Sequence, residues 1–121
     1  MKPQGFPPEC RLRTQAEFDR VFEEKVRAAD ARLLVFAARN GRAHARLGLI
    51  VSRRQGNSVV RHRLKRQLRE AFRLSRDELP TGLDVVVIPQ EPGPATVIEY
   101  QVSLKKLTAK LAKRLEKSPP K

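Results

Sequence analysis

The spacing of hydrophobic positions along this chain changes several times, and each change marks an element. Thr14 and Glu17 have capping-box spacing, which predicts a helix to about Lys25 with Phe18, Val21 and Phe22 on one side. Residues 31–38 centre on Leu33-Leu34-Val35-Phe36-Ala37-Ala38 and predict a strand. Asn40-Gly41 follows, a pair that takes positive φ at little cost and signals a tight turn. Residues 45–52 would then return as an antiparallel partner, with a short extra strand near 26–29 at the edge. From Asn57 or Ser58 the period becomes helical, with Val60, Leu64, Leu68, Ala71 and Phe72 on one side. Residues 83–88 are almost continuously apolar, the pattern of a strand buried on both faces. Pro89, Pro92, Gly93 and Pro94 make the next connection. Thr96 and Glu99 then repeat the capping box before a last helix striped by Tyr100, Leu104, Leu107, Leu111 and Leu115.

The order is therefore helix, two or three strands, helix, strand, helix: an α+β domain in which helices lie against one sheet. A single domain is expected over residues 11–116. Pro3, Gly5, Pro7 and Pro8 predict an extended arm over 1–10, and residues 117–121 a frayed tail.

Charge changes the picture at the central helix. Lys65, Arg66, Arg69 and Arg73 lie opposite its apolar stripe, with Arg61 and Arg63 on the two borders. Glu70 is the one acid between Arg53 and Arg76. Arg69 follows Lys65 by four residues and precedes Arg73 by four, so like charges repel along one row. A polyanion would relieve that repulsion. The whole chain carries 26 Lys and Arg against 13 acids, a net charge of +13. The alternative is a merely solvated face, but a solvated helix usually mixes signs. The clustering favours RNA or DNA.

Catalytic constellations are scarce. His44 and His62 have no matching nucleophile pattern, and the acids are scattered. Asp30 and Asp84 suit turn and strand-end positions better than a metal site. Gly56 stands alone, without a phosphate-loop ending. One cysteine, Cys10, leaves no internal disulfide and no cysteine-based zinc site. No apolar run reaches the roughly 18–20 residues of a membrane helix, and no signal peptide opens the chain. A cytoplasmic binding protein is expected, with no membrane association, no protein partner, no catalytic residue, and neither metal nor cofactor of its own. Phe18, Phe22 and Phe36 fit a core as well as a base-stacking platform at this point.

Three runs narrow the choice. Leu47-Gly48-Leu49-Ile50-Val51-Ser52-Arg53-Arg54 leads to Gly56-Asn57-Ser58-Val59-Val60-Arg61-His62-Arg63-Leu64-Lys65-Arg66, and then Leu68-Arg69-Glu70-Ala71-Phe72-Arg73. Together they resemble the signature of the bacterial ribonuclease P protein subunit. Glu17-Phe18-Asp19-Arg20-Val21-Phe22 is similar to that family's first helix, and residues 82–88 to its strand after the basic helix. The family's basic helix characteristically reads Arg-Asn-Arg, where this chain has His62 in the middle. Neutral histidine and asparagine can each donate and accept a hydrogen bond, which keeps the role.

The resemblance implies a two-layer α/β sandwich of about four strands and three helices, similar to the second domain of elongation factor G. Its strand–helix–strand crossover would be left-handed, against the usual preference. It also implies a ribonucleoprotein that removes the 5′ leader of precursor tRNA, with the active site and Mg2+ on the RNA. Arg53, Arg54, Asn57, Arg61, His62, Arg63, Lys65, Arg66, Arg69 and Arg73 would contact the catalytic RNA. Arg11, Arg13, Phe18, Phe22 and Phe36 would form the cleft for the precursor's leader. A ribosomal RNA-binding protein is the strongest rival; a DNA-binding regulator and a protein-only nuclease are weaker.

Overall fold

Each helix begins where side chains can satisfy its free backbone N–H groups. Thr14 caps α1 (Gln15–Glu23): its hydroxyl accepts from Glu17 N at 3.2 Å, and the Glu17 carboxylate accepts from Thr14 N at 3.0 Å. Asn57 caps α2 (Ser58–Ser75), its side-chain oxygen accepting from Val60 N at 3.0 Å. The box recurs ahead of α3 (Val97–Lys117), where Thr96 accepts from Glu99 N at 3.1 Å and Glu99 from Thr96 N at 3.0 Å. The computed structural model describes residues 10–91 and 95–117. Residues 1–9 of the arm expected over 1–10, the connection at 92–94 and residues 118–121 of the tail expected over 117–121 lie outside the described residues. Cys10 itself is buried, so the folded body already includes it.

Four strands form one sheet: β1 (Arg27–Ala29), β2 (Leu33–Arg39), β3 (Arg46–Leu49) and β4 (Leu83–Pro89), in the order β1-β2-β4-β3. β1 pairs antiparallel with β2 and β2 with β4, whereas β3 runs parallel to β4 through α2. The antiparallel hairpin expected between residues 31–38 and 45–52 is therefore absent, because β4 lies between the two strands. Two physical reasons account for this. A two-residue type I′ turn needs positive φ at both central positions, and at Asn40-Gly41 only Gly41 has it, at 67°. β4 is also buried at every position except the half-buried Ile88, so it needs a pairing partner on each side. Asn40 serves that arrangement instead of a turn. Its backbone N–H donates to Gly82 O at 2.9 Å, and its Nδ2 donates to Asp84 Oδ1 at 2.9 Å.

The sheet's two faces are covered unequally. On one face Leu33, Val35, Ala37, Leu47, Val85 and Val87 meet Leu64, Leu68 and Phe72 of α2 and Tyr100, Leu104, Leu107 and Leu111 of α3. This is the main core, and with the sheet it makes the two full layers. Among the described residues the other face carries only α1, which buries Val21 with Leu12, Ala38 and Val86. Phe18, Phe22, Phe36, Ile50 and Ile88 stay half-buried around that small cluster. The described residues thus leave part of the second face open.

Candidate nucleic-acid interface

The segment between β3 and α2 is rigid for local reasons. Arg53–Gln55 form one 3-10 turn, in which Ser52 Oγ accepts from Arg54 N at 3.3 Å and Gln55 Oε1 accepts from Ser52 N at 3.0 Å. The buried Gln55 then donates through Nε2 to Pro89 O at 3.0 Å, anchoring the turn to the end of β4. Gly56 follows with φ 141°, and a Cβ there would lie 2.8 Å from Val60 Cγ1, so glycine is required. Arg53 and Arg54 are left exposed beside the start of α2.

Along α2 the basic side chains divide into two groups. His62, Arg63 and Arg66 point outward and are exposed. Arg61, Lys65 and Arg69 form a half-buried row four residues apart. Lys65 and Arg69 face Arg11, Leu12, Phe18, Leu47 and Leu49 across a small hollow of about 110 Å3. Burial, and then the Arg11 guanidinium, push the pKa of Arg69 below that of an ordinary arginine. The Arg11 charge beside Arg69 repels it, and an anion placed between the two would offset that repulsion. Arg73 differs from the others. Its Nε and Nη2 donate to Glu70 Oε1 and Oε2 at 2.9 and 2.6 Å, so a phosphate would have to compete with a carboxylate.

The hollow opens into a longer groove along α1. Its middle part, about 410 Å3, is lined by Gln15, Phe18 and Phe22 of α1, by Leu49, Ile50 and Val51, and by Lys65. Beyond Phe22 a further 300 Å3 is bounded by Phe36, Lys25 and Arg27. Phe22 and Phe36 meet edge to face, with ring centroids 4.9 Å apart and planes at 83°. Lys25 ends α1 in the left-handed region, φ 59°, which brings it beside Phe22 at this end. The Phe18 ring rests on the backbone of β3: a Cβ on Gly48 would lie 2.7 Å from its Cζ. Gly48→Ala is therefore expected to lift Phe18 and weaken binding of a short unpaired RNA, with helix content unchanged. Titration of labelled oligonucleotide against both proteins checks this, and equal affinities would mean the ring yields without consequence.

At one end of the open face lies a network of buried charge. Asp84, fully buried on β4, accepts from Arg46 Nε and Nη2 at 2.8 and 2.7 Å, from Arg20 Nη2 at 2.5 Å and from Asn40 Nδ2 at 2.9 Å. Burial pushes the Asp84 carboxyl up, but the hydrogen bonds from Arg46 and Asn40 outweigh it and hold the group below its ordinary 3.8. Arg46 also donates through Nη1 to Glu17 Oε2 at 3.0 Å.

The structure thus gathers Arg11, Phe18, Phe22 and Phe36 around one groove and adds Lys65 and Arg69, which a helical wheel places on the outward face. Arg13 is exposed ahead of α1 and is not among the groove-lining residues. Asn57 is held as the α2 cap through its side-chain oxygen. Gln15, Lys25, Arg27, Ile50 and Val51 are groove residues that sequence reasoning missed. Only Arg27 carried a signal, as a cation at the start of the predicted edge strand. Among the described residues no three His, Cys, Asp or Glu gather where they could hold a metal ion. No helix among them is long and apolar enough to cross a membrane.

Comparison with known proteins places this architecture. The family model described as Ribonuclease P matches residues 6–116. The ribonuclease P protein component of Methylococcus capsulatus is 44% identical over 104 residues, 85% of this chain and 79% of that protein. The component from Petrotoga mobilis is 34% identical over 118 residues, covering 96% of this chain and 99% of its relative. Among solved structures, the RNase P protein of Staphylococcus aureus superposes with a TM-score of 0.72 at 31% identity, over 86% of this chain and 95% of that one. The Thermotoga maritima protein gives 0.71 at 30% identity, over 79% and 96%. The open mixed sheet, the basic α2 crossover and the sequence all agree, and this chain belongs to the ribonuclease P protein family.

Proposed function

We propose that α2 and the Arg53–Gln55 turn dock this chain on the catalytic RNA of ribonuclease P, and that the groove along α1 receives the unpaired 5′ leader of precursor tRNA. The RNA then carries the active site, its Mg2+ supplies the hydrolytic chemistry, and the protein supplies affinity for the leader-bearing substrate. The groove carries this reading. Three half-buried aromatics, Phe18, Phe22 and Phe36, line it, with Arg11, Lys65 and Arg69 at one end and Lys25 and Arg27 at the other. Aromatic rings between cations suit a single strand, whose bases can stack while its phosphates are neutralised. A duplex hides its base faces and would use only the cations.

The docking half has a quantitative test. Arg61→Ala, Arg63→Ala and Lys65→Ala are each expected to weaken binding to the catalytic RNA. Each should also flatten the log–log salt dependence, by about 0.7–0.9 for every phosphate that is no longer neutralised. Arg73→Ala should change the slope less, because Glu70 already neutralises that guanidinium. Three unchanged slopes would show that these side chains face solvent in the complex. The activity half is tested by adding the protein to its catalytic RNA and following precursor tRNA cleavage at low Mg2+, where a stimulated rate is expected.

A further inference from the structure

We infer that Glu17 and Arg46 form a positioning tie that fixes α1, and with it Phe18, over the sheet, and so sets the leader affinity of the groove. The inference rests on the leader role proposed above. α1 has nine residues and a single fully buried side chain, Val21. So short a helix has little intrinsic stability and takes its position from tertiary contacts. Those contacts combine the small apolar cluster around Val21 with charged groups that reach the sheet. Arg46 on β3 grips buried Asp84 with Nε and Nη2 and reaches Glu17 Oε2 with Nη1, at 3.0 Å. Arg20, one turn further along α1, donates to Asp84 Oδ2 at 2.5 Å and to Arg39 O at 2.9 Å.

Glu17 precedes Phe18, and Arg46 lies two residues before Gly48, on whose backbone the Phe18 ring rests. The tie and the ring therefore bridge the same two elements, and a slide of α1 along β3 must move both. The two oxygens of Glu17 divide the work. Oε1 accepts from Arg13 N and Thr14 N at 2.7 and 3.0 Å, which caps α1, while Oε2 alone meets Arg46. Capping and tethering can thus be separated by one substitution. Glu17→Gln retains a carbonyl oxygen for the cap but turns an amide NH2, a donor, toward the guanidinium.

The experiment measures binding of leader-bearing and leaderless tRNA to the reconstituted holoenzyme, at a temperature where melting curves show each variant folded. Glu17→Gln is expected to lower affinity for the leader-bearing form by at least about twofold, the lower end of coupling between contacting groups. Affinity for leaderless tRNA should not change. In a Phe18→Ala background the same substitution should have no further effect, because the tie acts through that ring. If Glu17→Gln melts below the assay temperature, Arg46→Lys, which keeps a cation against Asp84, carries the same expectation. Equal losses on both tRNAs, or a full effect persisting without Phe18, would overturn the inference. A wild-type holoenzyme with no preference for the leader-bearing form would overturn the leader reading first, and the tie along with it.

Discussion

Asp84→Ala is expected to destabilise the fold by about 3–5 kcal/mol, the range for removing one partner of a buried ion pair. Asp84 is 0% exposed and Arg46 7%, and alanine would leave that guanidinium desolvated with only Glu17 to face. Arg20 and Asn40 would each lose one acceptor as well, keeping Arg39 O and His44 O respectively. Denaturant unfolding measures the loss. The charge need not be the source of stability in itself: replacing a buried pair with apolar residues of similar volume is often neutral. An Asp84→Leu/Arg46→Met double variant should therefore recover most of the loss, and failure to recover would show that the pair's geometry is itself required.

Acid should act through the same site. Asp84 is held below its ordinary 3.8 despite the opposing effect of burial. Asp30 falls to about 2: burial opposes the shift, and the backbone N–H groups of Leu33 and Arg32, with Lys106, overcome it. Both carboxylates bind protons more weakly folded than unfolded, so their stabilisation is complete above the unfolded value. It disappears as pH falls from about 4 through the lowered folded values. A stability profile over that window should be steeper for the wild type than for Asp84→Ala, which has already lost one of the two groups.

Phe18→Ala, Phe22→Ala and Phe36→Ala should each weaken binding of leader-bearing tRNA by about 1–3 kcal/mol per stacked base, with leaderless tRNA barely affected. Their stability cost should stay well under the ~3–5 kcal/mol of a buried Phe→Ala, because all three are half-buried in the minor cluster. Phe22 and Phe36 also support one another, and their edge-to-face pair is worth roughly 0.5–1.5 kcal/mol. Phe72, 0% exposed between α2 and the sheet, provides the contrast. Phe72→Ala should show the full core-sized loss and no selective effect on the leader. Binding to both tRNAs and unfolding of each variant decide the matter. Core-sized losses at Phe18, Phe22 and Phe36, with equal effects on the two tRNAs, would make these rings ordinary core.

What could be read ahead of the structure was local. The three helices were legible because a capping box or an Asn cap and a 3.6-residue stripe sit within one stretch of chain. The buried character of β4 was legible from its unbroken apolar run. Strand pairing was not: Asn40-Gly41 has the composition of a hairpin turn, yet the demand of β4 for two neighbours overrides it. The charge network was hidden for a related reason, since Arg20 and Asp84 are 64 residues apart. A helical wheel separates apolar from polar positions on α2, but it cannot say which polar row lies against β3. That is why the wheel puts Lys65 and Arg69 outward with Arg66, and why the resting place of Phe18 on Gly48 has no signal in the sequence.

The central position of β4 governs the order in which the molecule can be built. β2 pairs Arg39 with Leu83 and Leu33 with Pro89, and β3 finds its only named strand neighbour in β4 as well. Apart from the short β1–β2 hairpin, no strand pairing can form until the chain beyond α2 has been made. A nascent chain extended only as far as Ser75 would present its cationic helix with Leu64, Leu68 and Phe72 still lacking a sheet to cover them. Contacts this distant in sequence close slowly, and domains emerge from the ribosome from the N-terminus onward. During synthesis, then, the cationic residues of α2 are made before the core that supports them.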